Sequence, residues 1–324
     1  MPRRRAAGVA GGGGRVAVIL TVTPNTALDV TYTVHRLVPG EVHRVREARH
    51  RAGGKGVNVA RVLHTLGVPT RAIGTAGGAD GAAVATELRR AGIPHELVPV
   101  AGPTRRTVTL VSAVDNQATL VNEPGAELAA AEWDRLLAAV RSHVDDAAVL
   151  VCSGSLPPGA PVDGYAVLLA LAPRIPTVLD TAGPALLAAL PARPTVVKPN
   201  VDELRAATGV TDPPAAARAL RRAGAGAVVV SRGAAGLLAV TGEGTWSVRP
   251  SAPLAGNATG AGDAAVAGIA MELAAGARWP DVLRRAAATS AAAVLGPLAG
   301  DLDLIHYRRE LRAVTPTPEE DPCR

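Results

Sequence analysis

The chain has 324 residues, with 34 Lys and Arg against 28 Asp and Glu, a formal net charge of +6. Hydrophobic residues make up 48% and aromatic residues 2%, with no Phe, which is enough apolar content to bury one large domain and excludes a wholly disordered chain. The 2 Cys argue against a disulfide framework, and no stretch approaches the roughly 20 unbroken apolar residues of a membrane span.

Residues 1–15 carry Arg and Gly but no apolar run of signal-peptide length, so a disordered tail and a cytoplasmic location are expected. An apolar strand follows at 16–23, then alternating stretches at 29–34 and 42–48 that suit strands. A helix is expected over 57–66, a strand over 70–74 and a helix over 81–91. The region 95–122 alternates without a long helix. There, 106–113 and 117–122 read as antiparallel strands joined by a tight turn at Asp115-Asn116. Near-continuous apolar strands at 147–152, 177–180, 195–198 and 227–231 alternate with helices at 132–143, 165–172, 184–190, 201–207 and 215–223. Fully apolar strands separated by helices imply a doubly wound α/β fold, a mostly parallel sheet with helices on both faces. The two alternating regions, within about 29–50 and 95–122, imply a small antiparallel β lid outside it. The main domain is expected over 16–312, with 313–324 as a C-terminal tail.

Among the 34 basic residues only Lys55 and Lys198 are Lys. Arg solvates a surface equally well, so a Lys kept beside Gly, Pro and Asn suggests a compact point charge at an anion. Basic residues elsewhere are scattered, several in the last helix (Arg308, Arg309, Arg312), with no interleaved aromatics. Nucleic acid and membrane partners are therefore not expected, and an acidic small molecule is.

Six motifs carry chemistry. In AGNATGAGD, residues 255–263, the small residues Gly260, Ala261 and Gly262 precede Asp263 at a helix start. Backbone N–H groups and the helix dipole there suit a phosphoryl group, and Asp263 is placed to take a proton from an attacking hydroxyl. A plain helix cap is the alternative. In VVKPNVDEL, residues 196–204, a strand ends in Lys198, with Asn200 and Glu203 on one face of the next helix. That pair suits a water-coordinated Mg²⁺, or else a capping box. In VVVSRGAAG, residues 228–236, Ser231, Gly233 and Gly236 suit a nucleotide phosphate or a simple turn. In AGGKGVNVARVL, residues 52–63, Lys55 lies among glycines at a helix start but without Walker spacing, and Asn58 offers a donor and an acceptor. In TPNTALD, residues 23–29, Asp29 can accept from sugar hydroxyls. Arg105, in Thr104-Arg105-Arg106, can clamp a phosphate or lie solvated on an edge strand. Ser153-Gly154-Ser155 ends another strand toward the same crevice.

Taken in order, these stretches resemble the ribokinase-like (phosphofructokinase-B) carbohydrate kinases over about residues 18–307. TPN…ALD, GGKG and the Thr-Arg pair are most similar to the 1-phosphofructokinase and tagatose-6-phosphate kinase branch. Thr26, where the family usually has Pro, Ala258, where Ser is common, and Arg106-Thr107-Val108, where several relatives carry Asn, depart from the pattern. The resemblance implies a catalytic base at Asp263 and an anion hole at Gly260, Ala261 and Gly262. It places ATP on Ser231, Gly233, Gly236, Asn257 and Thr259, with Lys198 and Asn200 near the phosphates. Glu203 and Asn200 would hold the Mg²⁺ water shell. Asp29, Gly54, Asn58 and Ser155 would meet the sugar, and Lys55 and Arg105 its existing phosphate, with Arg44 a weaker candidate. A monovalent cation as a further cofactor and a homodimer through the lid sheet also follow from the resemblance. The implied reaction is ATP-dependent phosphorylation of a sugar phosphate, fructose 1-phosphate first. Tagatose-6-phosphate or 6-phosphofructokinase activity in the same fold, and a non-catalytic sugar-phosphate sensor, are the alternatives.

Overall fold

Alternate residues of the central strands bury against opposite layers. Leu20, Val22, Leu150, Cys152, Val228 and Val230 belong to one apolar cluster, and Ile19, Val149, Val151, Ala227 and Val229 to another. A strand whose every side chain is buried must lie in a sheet covered on both sides. The computed structural model, which describes residues 18–115 and 117–319, has this arrangement.

In chain order the elements are β1 (Val18–Thr23), β2 (Ala27–Val34), β3 (Glu47–Gly53), α1 (Lys55–Thr65), β4 (Thr70–Ala76), α2 (Gly78–Arg90), β5 (His95–Pro99), β6 (Arg105–Ser112) and β7 (Ala118–Asn122). Then come α3 (Ala130–Val144), β8 (Ala147–Ser153), α4 (Gly164–Ala170), β9 (Thr177–Asp180), α5 (Gly183–Ala189), β10 (Val196–Val197), α6 (Val201–Thr208), α7 (Pro213–Arg222) and β11 (Ala227–Ser231). The chain continues through β12 (Leu237–Val240), β13 (Thr245–Val248), α8 (Ala261–Ala274), α9 (Trp279–Val294), α10 (Leu304–Ala313) and β14 (Thr317–Glu319).

The main sheet runs β14-β13-β12-β11-β10-β9-β8-β1-β4-β5. Every pairing from β11 to β5 is parallel, and β12, β13 and β14 add an antiparallel edge. One face is covered by α3 to α7, the other by α1, α8 and α9. Helices α8 and α9 approach closely because their contact is built of Ala and Gly. A Cβ added to Gly268 would lie 2.8 Å from Ala286 Cα. No helix among the described residues is long and apolar enough to cross a membrane.

The lid is a second sheet of order β3-β2-β6-β7. Its outer pairings are antiparallel, as expected of the small sheet, while the central pair, β2 with β6, is parallel. Helix α2 packs beneath it, where Val84 and Leu88 join Leu28, Val30 and Ala52.

Four expectations are corrected. The segment 95–99 is not lid: β5 pairs in parallel with β4 and forms the edge of the main sheet. The lid strand expected over 42–48 lies later, at β3, because it pairs with β2 in a register that ends at Gly53 opposite Ala27. Helix α1 starts at Lys55 rather than at Val57. Within the expected C-terminal tail, β14 pairs with β13 and closes the sheet edge. The 1–15 tail and Asn116 of the expected turn lie outside the described residues, although Gln117 N–H does donate to Asp115 Oδ1 at 3.2 Å.

Candidate active site

The parallel strands deliver their C-terminal ends to one crevice, between the sheet and the lid, the usual ligand position in open α/β sheets. It is a cavity of about 1410 Å³. Its wall includes Asp29 and Arg105 of the lid, Gly54, Lys55 and Asn58 at the step from β3 into α1, Ser155 after β8, and Lys198, Asn200, Glu203, Ser231, Asn257, Thr259, Gly260, Gly262 and Asp263. Of the remaining expected residues, Ala261, Gly233 and Gly236 are not in that wall, and Arg44 is exposed away from it. Gly236 has a plain structural reason, since a Cβ there would sit 2.0 Å from Val248 O of the neighbouring strand.

Asp263 lies in the first turn of α8, yet the cap of that helix is Gly260 and no side chain caps it. Its carboxylate instead accepts a hydrogen bond from Asn58 Nδ2 at 2.8 Å. The capping alternative therefore fails for Asp263. Burial pushes its pKa up to about 7, and the neighbouring Asp180 carboxylate adds to the push, while Lys55, Asn58 and Lys198 pull it back. A carboxylate with a pKa near neutrality is suited to general-base work. Of the helix-start amides, Ala261 N–H already donates to Ala258 O at 3.1 Å, so Gly262 and Asp263 supply the open donors beside the carboxylate.

The residue that organises the centre is Asp180, for which the sequence reading assigned no role. It ends β9 and is 1% exposed. Lys55 Nζ donates to its Oδ1 at 3.1 Å, and Lys198 Nζ lies 3.7 Å from the same atom. Burial opposes its ionisation, but Lys198 and Lys55 hold its pKa below the ordinary value. For Lys55 burial works against the charge, yet Asp180, Asp263 and Glu203 keep its pKa above normal. Lys198 also reaches the α8 start: a Cβ on Gly262 would lie 3.3 Å from its Nζ. The available signal for Asp180 was a lone carboxylate closing an otherwise apolar strand, VLD, at a crevice end.

Asn200 and Glu203 form a reciprocal capping box, with Glu203 N–H to Asn200 Oδ1 and Asn200 N–H to Glu203 Oε2, both 2.8 Å. The second oxygen, Glu203 Oε1, faces Lys55 Nζ at 4.0 Å. Asp180 Oδ2 is buried without a partner. Oxygen donors held this way fit a hydrated Mg²⁺. On the lid, burial raises Asp29 to about 6, against Arg105, a hydrogen bond from Thr107, Arg51 and Arg61. Arg105 Nε donates to Asn25 O at 3.2 Å, and Asn25 Nδ2 donates to Ser155 Oγ at 3.0 Å, so the arginine is braced at the mouth.

A buried base beside open amides, two lysines and a lid is the arrangement of a phosphoryl-transfer site. Residues 20–304 match the profile described as pfkB family carbohydrate kinase. The chain belongs to the pfkB family of carbohydrate kinases. It is 38% identical to 1-phosphofructokinase of Rhodobacter capsulatus, covering 86% of this chain and 92% of that one. It is 35% identical to ATP-dependent 6-phosphofructokinase isozyme 2 of Mycobacterium tuberculosis, covering 86% and 84%. Among solved structures, phosphofructokinase-2 from Escherichia coli in complex with potassium superposes with a TM-score of 0.85 at 30% identity, covering 91% of this chain and 98% of that chain. In this pfkB kinase Asp263 is the candidate base. Turnover is expected to rise with pH through an apparent pKa near 7 as that carboxylate loses its proton. Asp180→Asn removes the neighbouring negative charge and should move this limb to lower pH. It should also cost on the order of a hundredfold in kcat, the scale of misplaced reacting groups. A pH–rate series on both proteins checks this, and an unmoved limb would discount the coupling.

Proposed function

We propose that the protein transfers the γ-phosphoryl group of ATP to a primary hydroxyl of a phosphorylated ketohexose, with fructose 1-phosphate as substrate and fructose 1,6-bisphosphate as product. The observation that carries this reading is Asp263, buried in the cleft, held by Asn58, and raised to a pKa of about 7 beside both lysines of the chain. Asp263 accepts the hydroxyl proton, Asn58 fixes the carboxylate, and Asp29 orients the sugar through its other hydroxyls. The amides of Gly262 and Asp263, with Lys198, balance charge on the moving phosphoryl group, which is most of what such catalysis requires. When bound, Mg²⁺ would neutralise phosphate charge, held through water by Glu203 and Asn200 with Asp180 beside them. A monovalent cation is a further proposed ligand, supported by the potassium complex of the Escherichia coli neighbour.

The resemblance puts Lys55 on the sugar's existing phosphate. Its hold on Asp180 supports a different place, at the transfer end alongside Lys198, which leaves Arg105 for the existing phosphate. Lys55→Ala is then expected to lower kcat by about a hundredfold, as loss of one charge-stabilising donor does. A rise in the sugar-phosphate KM with kcat intact would return Lys55 to the distal phosphate. Asp263→Asn is expected to bind ATP and sugar phosphate with near-normal affinity and lose about a hundredfold to ten-thousandfold in turnover. Normal turnover would overturn the assignment. Coupled ADP release over fructose 1-phosphate, fructose 6-phosphate, tagatose 6-phosphate and free fructose separates the proposed substrate from the others.

A cytoplasmic enzyme acting as a homodimer through the lid completes the proposal. Strand β7 is one of the two edges of the lid sheet, and Val121 on it is 54% exposed, a surface that favours strand or sheet pairing. Val121→Lys should shift the protein from dimer to monomer in sedimentation velocity, and an unchanged dimer would place the contact elsewhere.

A further inference from the structure

The Arg51 guanidinium leaves the lid to grip a loop behind the start of α8. It lies on β3, directly opposite Asp29 of β2 in the strand register. Its Nη1 donates to Ala299 O at 3.1 Å, and its Nη2 forms an ion pair with Asp301 Oδ1 at 2.8 Å. Ala299 and Asp301 belong to the 295–303 connection between α9 and α10, far along the chain from the lid. Both Arg51 and Ala299 line the catalytic cleft.

The loop passes this contact to the reacting centre. Its backbone lies against Gly260, the N-cap of α8: a Cβ on Gly260 would be 2.9 Å from Ala299 Cα. A shift of Ala299 therefore moves the start of the helix whose amides face the phosphoryl group. From its other side the loop rests on helix α1, where a Cβ on Gly300 would meet Arg61 Cδ at 3.0 Å. Arg61 is buried and paired with Glu87 at 2.6 Å, and the same Glu87 Oε2 accepts from Ala52 N–H, the residue after Arg51, at 3.2 Å. A closed ring results: Arg51 to the loop, the loop to Arg61, Arg61 to Glu87, and Glu87 back to β3. Such a ring transmits displacement because packed contacts have little slack.

We infer that Arg51 is a positioning residue that couples sugar-phosphate binding at the lid to nucleotide binding at the anion hole, acting through Asp301 and Ala299. The inference rests on the sugar-kinase reading and adds to it a route between the two substrate sites. A sugar seated on Asp29 fixes the strand pair β2 and β3, Arg51 fixes the loop, and the loop fixes the start of α8. Coupling of this kind is a ratio of affinities, and it is reciprocal.

The test is a set of calorimetric titrations of AMP-PNP with Mg²⁺ into the full chain, with and without saturating fructose 1-phosphate. In the wild type the sugar phosphate should tighten nucleotide binding by roughly tenfold, within the usual range of such couplings. In Arg51→Met and in Asp301→Asn, the nucleotide affinity without sugar should stay within about twofold of wild type, and the tightening should fall to about twofold or less. Arg51→Lys, which keeps the charge but loses the fork, should retain part of it. Should Arg51→Met fail to fold, Asp301→Asn reads the same coupling without touching the lid. Wild-type turnover on the same sugar phosphate is measured in parallel. If another sugar phosphate is turned over instead, the titrations use that one, and if none is, the kinase reading fails and the coupling with it. Turnover without coupling in the wild type, or full coupling in both neutral variants, overturns the inference alone.

Discussion

A single buried carboxylate, Asp180, sets the terms for the rest of the site. Taking Lys198 out of water, to 4% exposure, is costly unless an opposite charge lies within reach. Asp180 supplies it, and Lys55 shares the same oxygen. Two ammonium groups drawn to one anion make a positive locus beside the start of α8, where amides already favour a phosphate. The same negative charge adds to burial in raising the pKa of Asp263 to about 7, so the two lysines and Asn58 are what favour its ionised form.

The fold makes this placement cheap. Strands buried on both faces leave no room for polar side chains along their length, so the charges gather where the strands stop. Asp180, Lys198 and Ser231 are each the last or next residue of neighbouring parallel strands, and the α8 helix points its N-terminus at the same place. The lid contributes what the sheet cannot, a roof of side chains from a separate element: Asp29, Arg105 and Arg51. Its four strands come from two distant stretches of chain and meet through the parallel pairing of β2 with β6.

Much of this was legible in the residues. Apolar runs identified the parallel strands, because burial on both faces leaves no other composition. The glycine-framed Lys55, the KPN step and the GAGD step were legible because each chemistry demands a residue type that bias toward Arg and Ala would otherwise have replaced. Asp180 was not legible. A carboxylate closing an apolar strand looks like any strand end until Lys55, 125 residues away at the start of α1, and Lys198, at the end of the next strand, are seen to converge on it. Arg51 was hidden for the same reason, since its partners lie 248 residues or more away.

By itself the sequence determined the layer order and the glycine-framed turns that line the cleft, since these depend on local periodicity and on residue types within a few positions of one another. Only the tertiary structure decided that β5 joins the main sheet rather than the lid, that β14 closes its edge, and that Lys55 pairs with Asp180. Those outcomes depend on pairing and charge balance between segments far apart in the chain, and no local pattern records which distant partner a strand edge or a buried charge will find.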